Sequence, residues 1–247
     1  MTLPEPEVIH AGGTFATQTL NNLGCQYNYN DEYVKAFVEY AGKANGRIAD
    51  LGCGYGASTK RMLDAGAAHV IANDLSKEQL DIFYKSLDEK DRRRVELIPG
   101  NALELGDKIP ANSLAGIFAA SWLNFLHPEE IQRVMKVFYD LMLPGGKLCI
   151  LTASCYSDLM ENAQDVVSAR KAAGDTWPGL WSKKLYSGPF AHHLPEFMHC
   201  LDPDVLEREA KAVGFKIEKA GYIDFGSVFQ ALKVDGREWA GLLAVKP

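Results

Sequence analysis

Long apolar runs and excess positive charge are both missing from this sequence. No stretch approaches the roughly 20 consecutive apolar residues that a helix needs to cross a bilayer, so no membrane partner is expected. Lysine and arginine total 26 against 32 aspartates and glutamates, a net charge of −6, which gives no electrostatic footprint for nucleic acid. The densest basic cluster, Lys90-Asp91-Arg92-Arg93-Arg94, is diluted by neighbouring acids and reads as a solvated helix end. Cysteine is sparse: Cys25, Cys53, Cys149, Cys155 and Cys200 are an odd number without paired metal-ligand spacing. Cys53 and Cys149 fall where a small hydrophobe fits, so reduced thiols are the economical reading. The first residues, acidic and proline-containing, lack the charged-then-apolar profile of a secretory signal, and a cytoplasmic protein is expected. No repeat or low-complexity tract is present.

What the chain does have is Arg47-Ile48-Ala49-Asp50-Leu51-Gly52-Cys53-Gly54-Tyr55-Gly56, an apolar run ending in an acid and glycines two apart. A buried parallel strand reads as such a run, and the glycines let the backbone turn sharply into a helix. The spacing departs from the dinucleotide fingerprint Gly-x-Gly-x-x-Gly, and Asp50 would repel a pyrophosphate while attracting a cation. A second strand, Val70 to Asp74, follows at the distance of a right-handed βαβ crossover. A carboxylate at its end suits the paired hydroxyls of a ribose. N-capping of the next helix is the other role for Asp74, although Ser76 with Gln79 makes the better capping box.

These residues resemble the first two motifs of the class I S-adenosylmethionine-dependent methyltransferases. The resemblance implies that Asp50, Gly52, Cys53, Gly54 and Gly56 underlie the methionine part of that cofactor, and that Asp74, with Leu75 beside it, takes the ribose. Asn101 and Ala102 follow the third strand, Val95 to Ile98, where the family commonly has an acid for the adenine amine. Asn101 is read either as that acceptor or as a turn residue. Asn112 to Ala120 fits the fourth strand, and Ala115 stands where many relatives have aspartate. At its exit Ala119-Ala120-Ser121-Trp122 is expected to expose backbone carbonyls to the cofactor's amino group, Ala119 among them, with Trp122 and Asn124 facing substrate. The Asn-Pro-Pro-Tyr type of motif for methylating adenine or glutamine amines is absent there. A segment ahead of the first strand folds over the cofactor in many relatives, and Tyr29, or else Tyr27, is expected to reach the methionine carboxylate.

Around these motifs, helices are predicted after Asn30 or Asp31, over Ser58 to Ala65, over Lys77 to Lys90, from Pro128, over Leu159 to Ala173 and from Asp202. Pro144-Gly145-Gly146 is expected to close the helix begun at Pro128 and to lead into a fifth strand, Lys147 to Thr152. Phe215 to Tyr222 and Trp239 to Val245 follow as sequential strands with no helix between, hence antiparallel neighbours. The fold class is α/β: a Rossmann-like, doubly wound, seven-stranded sheet, mostly parallel with the last strand antiparallel, and a lid inserted after strand five. Residues 1–247 form one domain, with 1–45 as an N-terminal cap segment, irregular up to Asn28, and 153–201 as the substrate lid.

The lid is rich in aromatics and histidines. Adjacent His192 and His193 point apart, and with His199 and Cys200 they stand in a proline-broken stretch that reads as loops, so no metal is assigned. His192 and His193 are instead the candidate catalytic bases, should the acceptor be a hydroxyl. The function expected is transfer of a methyl group from S-adenosylmethionine to oxygen or nitrogen of a small molecule. The alternatives are a non-catalytic S-adenosylmethionine-binding partner subunit, or an enzyme methylating protein or RNA.

Overall fold

The structure is a computed structural model that describes residues 5–11, 13–157, 162–182 and 195–247. The chain opens with β1 (Val8–Ala11), β2 (Thr14–Gln18) and β3 (Cys25–Tyr27), which form a three-stranded antiparallel sheet. The expectation of irregular structure before Asn28 is thereby corrected. Val8 and Ile9 pair with Thr17 and Ala16 across a tight turn in which Gly13 sits at φ 83°, so turn formers taken for a loop are the bend of a hairpin.

Helix α1 (Glu32–Lys43) begins where Asp31 accepts hydrogen bonds from the Tyr33 and Val34 amides, and it buries Tyr33, Val34, Phe37 and Ala41. The core then alternates strand and helix: β4 (Arg47–Leu51), α2 (Ala57–Asp64), β5 (His69–Asp74), α3 (Lys77–Ser86), the short α4 (Glu89–Arg92), β6 (Val95–Pro99), β7 (Leu114–Ala120), α5 (Pro128–Leu141) and β8 (Met142–Ala153). The single helix expected from Lys77 to Lys90 is thus two, because Leu87 turns its backbone to ψ 145° before Asp88 caps the next turn. Between β8 and α7 (Pro203–Ala212) lie α6 (Ala163–Ala172) and a small antiparallel pair, β9 (Leu180–Ser182) and β10 (Phe197–His199). The helix expected over Leu159 to Ala173 is α6, its first residues lying outside the described ones. The chain closes with β11 (Lys216–Ile223) and β12 (Trp239–Val245).

The main sheet has seven strands in the order β11-β12-β8-β7-β4-β5-β6. β12 runs antiparallel to both β8 and β11, and every other neighbouring pair is parallel. β4 lies between β5 and β7, so chain winding reverses direction at its carboxyl end. In an open α/β sheet that reversal leaves a crevice between the diverging loops, where ligands bind.

One strand boundary differs from the expectation. Helix α5 ends at Leu141, and Met142 already pairs with Leu114, so Pro144-Gly145-Gly146 bulges within β8 rather than closing the helix. The end of the helix is satisfied from elsewhere: buried Lys246 donates its Nζ to the carbonyls of Tyr139 and Met142, 2.8 and 2.9 Å away.

Gly56 is a packing residue. It has φ 74°, and a Cβ there would fall 2.2 Å from Phe83 Cδ2, inside the ring that α3 presses onto the start of α2. Gly56→Ala is expected to cost about 2–4 kcal/mol from left-handed backbone strain and overpacking, read as a lower midpoint in urea.

Candidate active site

The crevice at the end of β4 is a cavity of about 300 Å³. Its floor is the glycine loop, and the β2–β3 segment roofs it. One wall is formed by the ends of β5 and β6, the opposite wall by the residues after β7, with Pro195 and Phe197 added from the stretch after β8.

The glycine loop satisfies its own amides. Cys53 N–H donates to the Asn73 carbonyl, Gly54 N–H to Asp74 Oδ2 at 2.8 Å, Tyr55 N–H to Gln26 Oε1 and Gly56 N–H to the Cys53 carbonyl. Donors spent in this way leave these four amides unavailable as a cradle for phosphate, consistent with the departure from the dinucleotide spacing. Gly52, at φ 69°, lies directly beneath the Trp122 indole; a Cβ there would stand 2.5 Å from Trp122 Cδ1.

Asp50 and Asp74 both line the cavity and are both buried. Asp50 Oδ2 accepts from the Thr59 hydroxyl at 2.6 Å. Burial pushes its carboxyl up to about 7, the Thr59 hydroxyl and amide oppose the rise, and the nearby charge of Asp74 adds to it. Asp74 accepts from Ser76 N–H (2.8 Å) and Gln79 Nε2 (3.2 Å) on Oδ1, and from Gly54 N–H alone on Oδ2. Burial raises its carboxyl above the usual carboxylate range, against the pull of those amides. Oδ2 therefore keeps accepting capacity toward a ligand. The expected Ser76–Gln79 capping box is half formed: Ser76 Oγ accepts from Gln79 N–H, whereas the Gln79 side chain goes to Asp74 and, through Oε1, to Leu20 N–H of the roof at 2.6 Å.

Of the residues read from sequence as cofactor-binding, Tyr29, Asp50, Gly52, Cys53, Gly54, Asp74, Leu75, Asn101 and Ala102 line this cavity. Tyr29 is buried and its hydroxyl pairs with Ser121 Oγ, which also accepts from Trp239 Nε1. Asn101 Oδ1 accepts from Leu103 N–H at 3.0 Å, so its turn-forming role is realised while the side chain still borders the cavity. Gly56 and Ala119 are not among the lining residues. Side chains alternate along β7, so Phe118 and Ala120 face the cavity while Ala119, wholly buried, faces the opposite core. Asn124 does not face a substrate either: it is a buried tie, donating to the Ala153 and His199 carbonyls and accepting from Ala153 N–H at 3.1 Å.

His192 and His193 lie outside the described residues. His199 is buried with Nδ1 3.2 Å from the Leu126 carbonyl, and burial pushes its imidazole down to about 4, so it is neutral and structural. Among the described residues no three His, Cys, Asp or Glu side chains stand close enough together to hold a metal ion.

Several lining residues gave little sign in the sequence. Gln26 and the 19–25 segment belong to a roof without periodicity, and Glu130 reads as an ordinary first-turn acid of α5. Ser121, by contrast, lies in the strand-exit stretch read from sequence, and its left-handed φ of 59° belongs to the sharp turn that ends β7.

Comparison with known proteins agrees with this geometry. Residues 48–146 match the family model described as a methyltransferase domain. A carboxy-S-adenosyl-L-methionine synthase from Shewanella piezotolerans is 25% identical over 208 residues, 82% of this chain and 76% of that protein. Among solved structures, an S-adenosylmethionine-dependent methyltransferase from Mesorhizobium loti superposes with a TM-score of 0.60 at 16% identity, covering 86% of this chain and 95% of that one. The glycopeptide N-methyltransferase MtfA, solved with S-adenosylmethionine, superposes with a TM-score of 0.59 at 19% identity, covering 89% and 96%. At these identities the structural likeness is one of fold.

Proposed function

We propose that this chain, whose residues 48–146 match a methyltransferase-domain family model, is an S-adenosylmethionine-dependent methyltransferase that moves a methyl group to an oxygen or nitrogen atom of a small molecule. When bound, S-adenosylmethionine supplies a methyl group already activated by a sulfonium. The work left to the protein is to align it with a nucleophile and keep water out. The observation that carries the reading is the convergence of the glycine loop, Asp74 and Asn101 on one roofed cavity at the sheet's winding reversal.

The described residues fit such a ligand. Asp74 Oδ2 is the acceptor for a ribose hydroxyl, Leu75 and Ala102 are apolar neighbours for a base, and Gly52, beneath the Trp122 indole, borders the space left for the methionine part. Asp50 and Asp74 are acids beside the glycine loop, and the described lining contains no Lys or Arg, so its sign suits a cation. The stretch 153–201 acts in this reading as a substrate lid, with Pro195 and Phe197 on the cavity wall. For a hydroxyl acceptor, His192 or His193 is the residue to test as base.

Two measurements test the reading. Calorimetry is expected to detect binding of S-adenosylmethionine and its demethylated product. Label from the cofactor's methyl group is expected to enter a small-molecule extract and not protein or RNA fractions. Tight binding with no transfer into any fraction would favour a non-catalytic partner subunit. Because of the likeness to a carboxy-S-adenosyl-L-methionine synthase, the recovered cofactor is also weighed by mass spectrometry. A carboxylated cofactor would support that activity instead, although among the described lining residues no Lys or Arg stands ready to pair with a carboxylate.

Asp50 makes binding pH-dependent. Its buried carboxyl ionises near 7, and a sulfonium favours the ionised form, so affinity is expected to fall as pH drops from 8 through about 7 to 6. The same group affects stability in the opposite sense. Its folded-state value lies above that of the unfolded chain, so its contribution is fully present at low pH and is lost as pH rises through about 7. Asp50→Asn should flatten the pH dependence of affinity measured by calorimetry; an unchanged slope would remove Asp50 from the argument.

A further inference from the structure

The cavity has a third acid that the cofactor reading does not use. Asp50 is engaged by Thr59, and Asp74 by Gly54, Ser76 and Gln79, both beside the glycine loop. Glu130 borders the cavity from the first turn of α5, on the wall formed after β7. Its Oε2 accepts from His127 N–H at 2.9 Å, and its Oε1 accepts from no described residue. Next to it the His127 ring stacks on Phe197, with centroids 4.1 Å apart, which fixes an aromatic face against the cavity; Phe125 and Leu126 continue that wall.

From these contacts we infer that Glu130 and Phe197 form an ammonium site, and that the methyl acceptor is an amine carried on an apolar body. A carboxylate beside aromatic faces, with no Lys or Arg among the described lining residues, attracts a cation by charge and by ring quadrupole together, and disfavours an anionic acceptor. The helix-capping role of Glu130 uses Oε2 and leaves Oε1 for the ligand. This inference rests on the methyltransferase reading of the same cavity. The amine binds as R–NH₃⁺ and gives one proton to water. Its freed lone pair forms the new nitrogen–carbon bond as the carbon–sulfur bond breaks, the electron pair staying on sulfur, and the product leaves as the methylated ammonium.

A charge-matched series tests the site: phenethylamine, 2-phenylethanol and phenylacetate, with tryptamine and ethanolamine varying the apolar body. Binding is measured by calorimetry and thermal shift on the full chain, with and without S-adenosylhomocysteine. The arylalkylamines are expected to bind at least about tenfold more tightly than the alcohol and the carboxylate. Glu130→Gln keeps an oxygen for the His127 amide and removes the charge. It should weaken amine binding about tenfold while leaving thermal stability and S-adenosylhomocysteine affinity unchanged. Equal binding of the three charge types, preference for phenylacetate, no binding of any amine, or a silent Glu130→Gln would each overturn the inference. So would a Glu130→Gln variant that loses S-adenosylhomocysteine instead of amine. If the wild type ignores S-adenosylhomocysteine, the cofactor reading fails separately, and the amine series on the ligand-free protein still decides the fate of the Glu130 site.

Discussion

Asp74→Ala is expected to weaken S-adenosylmethionine binding by a hundredfold or more. Two hydrogen bonds from ribose hydroxyls to this buried carboxylate contribute about 1.5–3 kcal/mol each, and roughly 3 kcal/mol already corresponds to a factor above one hundred. The variant also strands three donors, since Gly54 N–H, Ser76 N–H and Gln79 Nε2 all end on this side chain. Some loss of thermal stability should therefore accompany the loss of binding. Asp74→Asn separates the two effects: an amide oxygen on the Ser76 side keeps that contact, but its NH₂ then faces Gly54 N–H, donor against donor. Calorimetry on both variants, with thermal melts alongside, should give weak binding in each and the larger stability loss in alanine. Undiminished affinity in Asp74→Ala would falsify the ribose assignment.

The largest effect on stability is expected at Glu238, which is not among the residues lining the cavity. This residue is fully buried, and its carboxylate gathers four backbone amides: Val234, Asp235 and Gly236 on Oε1 at 2.8, 2.6 and 2.6 Å, and Phe225 on Oε2 at 3.0 Å. Burial alone would raise its carboxyl, but the amides outweigh burial and hold it below the usual range. These bonds pin the loop between β11 and β12, which carries Phe225 into a stack on Trp239, centroids 3.8 Å apart, with Tyr27 set edge-on against both rings. Glu238→Ala leaves those amides without their acceptor. At about 1–3 kcal/mol for each group that water does not reach, the loss should be about 4 kcal/mol or more. Glu238→Gln keeps an acceptor and should lose about half as much. The depressed carboxyl also fixes the pH sign: its contribution is present above the unfolded-state value and disappears as pH falls through the lowered folded-state value. Urea melts at pH 7 and pH 4 on wild type and Glu238→Gln would show it, as a gap between the two that narrows in acid.

The parts that were legible in the sequence are those in which neighbouring residues dictate the outcome. An apolar run ending in spaced glycines must be a buried strand turning into a helix, and an acid one βα unit later must lie at the adjacent strand end. Gly56 and Ala119 belong to the motifs but are not among the described residues that line the cavity. Gly56 is small for the sake of Phe83, and the Ala119 side chain lies on the opposite face of a strand whose faces alternate. Asn124, placed opposite a substrate by proximity to β7, is consumed by two carbonyls and an amide.

By itself the sequence determined the α/β class, the strand–helix alternation with a last antiparallel pair, and the acid-and-glycine set that borders the cavity, because periodicity, crossover length and turn chemistry act over a few residues. Only the tertiary structure decided that the first strands roof the cavity through Gln26 and Leu20, that Trp122 lies on Gly52, and that Glu130 faces the cavity with one carboxylate oxygen that accepts from no described residue. Those contacts join residues far apart in the chain. Their geometry is set by how sheet, helices and roof pack together, and no local pattern encodes it.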